Sequence, residues 1–160
     1  ISQLEKIPHV KRIRIHSRLP VVMPSRVTMG LVNTLKKSPL KCAIVLHINH
    51  PNELNEELIA ALEPLRVARI PLFNQSVLLK GVNDNAPCLI TLCENLFDIG
   101  IQPYYLHLLD AVQGAAHFDV EEEKAKIIAN EMLAKLSGFM MPKLVREIAG
   151  QPNKTPINLA

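Results

Sequence analysis

Asn74-Gln75-Ser76-Val77-Leu78-Leu79-Lys80-Gly81-Val82-Asn83-Asp84 decides the fold, because an apolar, strand-like centre is closed on both sides by amides, a carboxylate and a glycine. Val77, Leu78 and Leu79 suit a strand of a parallel sheet. Asn74, Gln75, Asn83 and Asp84 each need hydrogen-bond partners, from a ligand, from water or from backbone. Taken alone, Gly81 and Asn83-Asp84 also read as ordinary turn residues after a strand. Other junctions along the chain repeat the plan, which points to a polar mouth at the ends of the strands.

Outward from this stretch, short apolar runs alternate with longer amphipathic ones four times, the pattern of βα units. The first strand is expected over about Arg12 to Ile15, ending in His16-Ser17-Arg18-Leu19-Pro20. Its helix runs from near Met29 to about Lys37, with Thr28 or Ser25 as cap. The second strand covers Cys42 to Ile48, and Asn52 stands ready to cap a helix starting near Glu53. The third runs from about Arg69 to Leu79, followed by a helix from about Ala86 to Asp98 that stops at Gly100. The fourth spans Pro103 to Asp110, and a long helix from about Val120 to Leu136 opens on Glu121-Glu122-Glu123, acidic residues that suit a helix N-terminus. The tail from Ala149 onward is rich in Gly, Pro and Asn.

The expected fold class is therefore α/β, a partial (β/α) barrel of about four βα units over 1–137 with a C-terminal segment over 138–160. Barrels of this kind place their chemistry at the C-terminal ends of the strands. Four units alone leave strand edges uncovered. The chain opens on Ile1 rather than Met, which is read as a portion of a longer product.

With 160 residues, 48% of them hydrophobic, the chain can build one real core. Its longest apolar runs fall well short of the roughly 20 residues that span a bilayer, and its start lacks the character of a secretory leader. A cytoplasmic protein without a membrane partner is expected. A net charge of +3 and 4% aromatic residues with no Trp argue against a nucleic-acid surface. Lys11-Arg12-Ile13-Arg14 instead reads as a strand entering a sheet. Cys42, Cys88 and Cys93 match neither a zinc pattern nor a disulfide framework and are read as reduced thiols, so no metal ligands are assigned within the chain.

The strings His16-Ser17-Arg18-Leu19-Pro20-Val21-Val22, His47-Ile48-Asn49-His50-Pro51-Asn52-Glu53, the opening stretch, Pro103-Tyr104-Tyr105-Leu106-His107 and Lys154-Thr155-Pro156 together resemble the lysine 2,3-aminomutase family of radical S-adenosylmethionine enzymes. The resemblance runs from about His16 to the end. Val112-Gln113-Gly114-Ala115-Ala116-His117-Phe118 is similar to the branch that makes β-lysine for modifying elongation factor P. What the resemblance implies is conversion of L-α-lysine to β-lysine by a shift of the amino group from the α to the β carbon. Pyridoxal 5'-phosphate holds the substrate, and S-adenosylmethionine with a [4Fe-4S] cluster supplies the radical.

Carried over by motif, Lys154 matches the catalytic lysine that binds pyridoxal phosphate. On composition alone it would be a solvated lysine on a loose tail. Asp110 matches the carboxylate that binds the distal ammonium of L-lysine, a role that suits a carboxylate buried at a strand end. Glu147, seven positions before Lys154, stands where the family has a second acidic contact, with Arg146 beside it as a competing partner. Gln75, and His50 or His47, match positions near S-adenosylmethionine, although His50 also suits a structural hydrogen-bonding role. Arg18 can offer its fork to a carboxylate or phosphate, and Lys80 replaces a common arginine.

The family's Cys-x-x-x-Cys-x-x-Cys cluster motif does not occur in this chain, so the cluster ligands are expected upstream. The reading is a C-terminal portion of an aminomutase, inactive alone, whose partners are L-lysine and the N-terminal half of the same enzyme. Homo-oligomerisation stays open. The alternative is a decayed remnant or noncatalytic fragment that binds pyridoxal phosphate or completes a barrel.

Overall fold

The computed structural model describes residues 1–159. Helix α1 (Ser2–Glu5) precedes strand β1 (Arg12–Ser17), and helix α2 (Leu19–Val22) follows it. After these come α3 (Met29–Lys37), β2 (Lys41–Leu46), α4 (Glu56–Val67), β3 (Leu72–Val77), α5 (Ala86–Asp98), β4 (Ile101–His107), α6 (Glu122–Leu133), β5 (Lys143–Arg146) and β6 (Thr155–Pro156). The six strands form one sheet in sequence order. β1 to β5 are parallel neighbours, and β6 returns antiparallel to β5. The result is a half-barrel.

Local chemistry starts the main helices. Side-chain oxygens of Thr28, Asn55 and Asn85 accept from the backbone N–H groups of Leu31 (3.2 Å), Leu58 (2.8 Å) and Cys88 (2.9 Å). The helix expected from Glu53 begins later. Residues Pro51–Glu53 form one 3-10 turn instead, closed because Glu53 Oε1 accepts from the N–H groups of Asn49 (2.7 Å) and His50 (3.0 Å). Gly100 lets the chain turn sharply from α5 into β4: its φ is +77°, and a Cβ there would meet Arg66 Nε at 2.8 Å.

Strand alternation separates two faces. Ile13, Ile15, Ile44 and Leu46 turn toward α3 and α4, where Leu35, Leu58, Leu62 and Leu65 are buried. Leu78, Leu106 and Leu144 pack with the inward side chains of α5 and α6, including Leu89, Ile128 and Met132. The opposite, concave face carries the residues in between. Between β3 and β4 the register slips, so that Asn74 opposes Pro103 while Gln75 opposes Tyr105. The extra residue brings Tyr104 and Tyr105 together, with ring centroids 3.9 Å apart.

The expected third strand, Arg69 to Leu79, is shorter at both ends. Arg69 has a left-handed φ of 57° that closes α4, and Leu79 leaves the ladder because its N–H donates to the Asn83 side chain (2.7 Å). The fourth strand starts earlier than Pro103 and ends at His107.

Candidate functional site

The tail, which composition alone would leave loose, is tied to the sheet. β5 and β6 pair Val145 with Pro156 and Arg146 with Thr155. Continuing that antiparallel register by one step sets Glu147 opposite Lys154, so the seven-residue spacing is the span of a hairpin. The Lys154 amine donates to Glu147 Oε1 in a short ion pair. The lysine side chain keeps only 23% of its exposure, and the glutamate 54%. A cavity of about 380 Å³ surrounds them, lined also by Arg14, His16 and Tyr105. The amine lies 5.8 Å from the centroid of the Tyr105 ring, and Arg14 reaches the Tyr104 hydroxyl at 3.2 Å.

Among the described residues three buried side-chain polar atoms have no hydrogen-bond partner: His47 Nε2, Gln75 Oε1 and His107 Nε2. Gln75 opposes Tyr105, and His107 follows two residues later, so both point to the concave face that bears the Lys154 cavity. His47 meets His16 edge to face, with centroids 5.8 Å apart. Burial lowers the pKa of His47 and then of His16, and nearby Arg18 and Arg14 respectively act in the same direction.

His107, only 3% exposed, is driven furthest. Burial pushes its imidazole down to about 4; the Lys154 cation adds to the shift and the Glu147 carboxylate opposes it. Between the ordinary value of 6.5 and about 4 the unfolded chain binds more protons than the folded one. Stability from this residue is therefore present above 6.5 and is lost as the pH falls through about 4. Denaturant midpoints measured across that window should fall with pH in the wild type, and His107→Gln should flatten the fall.

Most of the expected mouth residues are structural. Asn74, 2% exposed, accepts from Ile48 N–H (2.8 Å) and donates to Ile48 O and Ser76 Oγ (both 2.9 Å). Asn83, fully buried, donates to Asn49 O (2.7 Å) and Val77 O (2.9 Å). Asp84 accepts from Gly81 N–H and pairs with Lys124 of α6. Each of these groups thus finds a backbone partner, with Ser76 and Lys124 adding side-chain contacts. Of the opening stretch, Gln75 alone supplies an unpartnered buried polar atom.

His50 Nδ1 accepts from Asn52 N–H (3.1 Å) and so caps the 3-10 turn. Arg18 gives its fork to Glu53 (2.6 Å) and to His47 O (2.7 Å). Arg146 pairs with Glu122 of α6 rather than with Glu147. Asp110, expected to be buried, is exposed, because β4 ends three residues earlier. It borders a cavity of about 410 Å³ together with Asp119, Glu121, Glu122 and Glu147. Asp110 and Glu147 therefore share one cavity, and Glu147 and Lys154 share the next.

Among the described residues no group of three or more His, Cys, Asp or Glu side chains could hold a metal ion. Cys42 sits in the core under α3 and α4, and Cys88 and Cys93 lie on α5. Burial pushes the Cys93 thiol up to about 12. No described helix is long and apolar enough to cross a membrane.

Sequence reasoning did not single out Arg14, His16, Tyr105 or His107 as site residues. Their signal is polar or aromatic side chains at every second position of β1 and β4, opposite the isoleucines and leucines of the core.

No family model matches the sequence. Over 159 residues, 99% of this chain and 46% of the relative, it is 54% identical to a protein named L-lysine 2,3-aminomutase from Escherichia coli (strain K12). A protein of that name from Haemophilus influenzae is 51% identical over 97% of this chain and 46% of its own length, and one from Clostridium subterminale is 42% identical over 98% and 38%. The chain spans about half the length of these curated relatives, or less. Among solved structures, a radical SAM methyltransferase from Sphaerobacter thermophilus superposes with a TM-score of 0.61 at 16% identity, covering 86% of this chain and 41% of that one. A domain of pyruvate-formate lyase-activating enzyme from Bacteroides vulgatus gives 0.51 at 12% identity, covering 86% and 99%. At such identities these two structures establish a shared fold.

Proposed function

We propose that the chain, 54% and 51% identical to proteins named L-lysine 2,3-aminomutase over 46% of their lengths, belongs to that family and forms the cofactor-lysine side of the active site of a radical S-adenosylmethionine and pyridoxal phosphate enzyme that converts L-α-lysine to β-lysine. The observation that carries this reading is the Lys154 amine, fixed by the β5–β6 return beside a concave face where His47 Nε2, Gln75 Oε1 and His107 Nε2 are buried without partners. Buried polar atoms cost free energy unless a hydrogen-bonding group meets them. The three atoms lie outside the lining of the Lys154 cavity, and a polar ligand that displaces the side chains covering them would meet them.

The residues fit pyridoxal phosphate: a partly shielded primary amine stands near an aromatic ring and next to a carboxylate. That cofactor would supply a conjugated system for the amino-group shift, and S-adenosylmethionine the source of the radical. Lys154 would hold pyridoxal phosphate covalently. Glu147 and Asp110 offer carboxylates to the distal ammonium of L-lysine across two adjoining cavities. His47 and Gln75 present hydrogen-bonding atoms to S-adenosylmethionine, and His50, engaged in its cap, takes a smaller part. His107, kept neutral by burial, adds hydrogen bonding without a second charge beside Lys154.

The described residues do not fit the [4Fe-4S] cluster. The rest of the site, including the cluster, would come from the N-terminal half of the same enzyme. Three free thiols suit a reducing cytoplasm, and the Val112–Phe118 stretch supports elongation factor P as the destination of the product.

Reduction of the complete polypeptide with borohydride in the presence of pyridoxal phosphate should label Lys154, and chromatography should detect β-lysine formed from L-lysine. Label on another lysine overturns the site. Label on Lys154 without β-lysine under reducing, cluster-loaded conditions favours the noncatalytic cofactor-binding alternative.

A further inference from the structure

Among the residues lining the cavity around Lys154, Glu147 is the one carboxylate. Arg14 and His16 of β1 and Tyr105 of β4 complete its titratable lining, and the His47 and His107 imidazoles stand nearby. Arg146, the adjacent cation, is engaged with Glu122 and leaves Glu147 to Lys154. The hydrogen bond from Lys154, reinforced by its charge, holds the Glu147 carboxyl below the usual carboxylate range.

An ammonium has no lone pair to offer an aldehyde. For a covalent bond to the cofactor, the lysine must first release one proton to solvent. Its nitrogen then adds to the aldehyde carbon, a C=N bond replaces C=O, and the oxygen leaves as water with the two remaining amine protons. A carboxylate that favours the ammonium over the free amine slows this step.

We propose that Glu147 gates cofactor loading: as counter-ion it keeps the Lys154 side chain docked as an ammonium, and pyridoxal phosphate attaches from the population in which the pair is broken. This rests on Lys154 being the cofactor lysine. The same carboxylate is released once the bond has formed, which frees it for the ammonium of the substrate.

The test uses the complete polypeptide stripped of cofactor, with pyridoxal phosphate itself as the probe and borohydride-trapped attachment as the readout, from neutral to alkaline pH. Glu147→Gln keeps the size and hydrogen bonding of an exposed side chain and removes its charge. The variant should load about threefold faster near neutrality, the scale of a solvent-screened pair. Peptide mapping separates the two claims. Label away from Lys154 defeats the cofactor-lysine assignment, whereas label on Lys154 at an unchanged rate overturns the gate.

Discussion

Lys154→Ala, made in the complete polypeptide, is expected to abolish covalent retention of pyridoxal phosphate and to lower conversion of L-lysine by about 10³-fold or more, the scale seen when a covalent catalyst is removed. The expectation follows from position. Lys154 sits where β6 begins its return, and the antiparallel pairing with β5 holds its backbone whatever the side chain is. Removing the side chain should therefore leave the fold intact and take away the attachment point alone. Lys154→Arg sharpens the test, since guanidinium keeps the charge next to Glu147 but stays protonated and cannot attack the aldehyde. Both variants should pass through desalting without bound cofactor, with circular dichroism unchanged. Stoichiometric cofactor surviving that step in either one would remove Lys154 from the mechanism.

Asn83→Ala should destabilise the protein by about 3–5 kcal/mol, a large effect for one substitution. The side chain is fully buried and satisfies three backbone groups: it accepts from Leu79 N–H and donates to the carbonyls of Asn49 and Val77. Alanine leaves all three unpaired where water does not reach. These bonds also tie the loop after β2 to the end of β3, so their loss loosens the strand ends that present His47 and Gln75. Asn83→Asp should be at least as harmful, because a buried carboxylate can accept but cannot donate to the two carbonyls. Denaturant midpoints compared with the exposed Asn153→Ala, expected within about 0.5 kcal/mol of wild type, provide the check. Equal midpoints for the Asn83 and Asn153 variants would contradict the assigned bonds.

How much could be read in advance depended on how local the cause was. Helices α3 and α5 run over Met29–Lys37 and Ala86–Asp98 as expected, because Thr28 and Gly100 are local signals. The amides of the opening stretch were legible as needing partners, but the partner of Asn74 is the backbone of Ile48, 26 residues away. No window of sequence contains that pair. The same holds for β5 and β6, whose few residues become strands by pairing with β4 and with each other. Glu147 and Lys154 were noted as related by spacing, while the hairpin that makes the spacing meaningful is a property of the folded sheet. Asp110 is exposed rather than buried because β4 ends at His107, three residues short of it.

That hairpin makes the lysine's orientation a property of strand pairing rather than of loop length. Residues 147–154 join β5 to β6 outside the paired positions Val145, Arg146, Thr155 and Pro156. A residue gained or lost among them can be absorbed by the loop, because only paired residues are bound to the two-residue alternation of faces. A one-residue slip of the pairing itself would swing the lysine from the concave face to the outer one. Gly150, held at a φ of +82°, supplies a left-handed corner inside this loop.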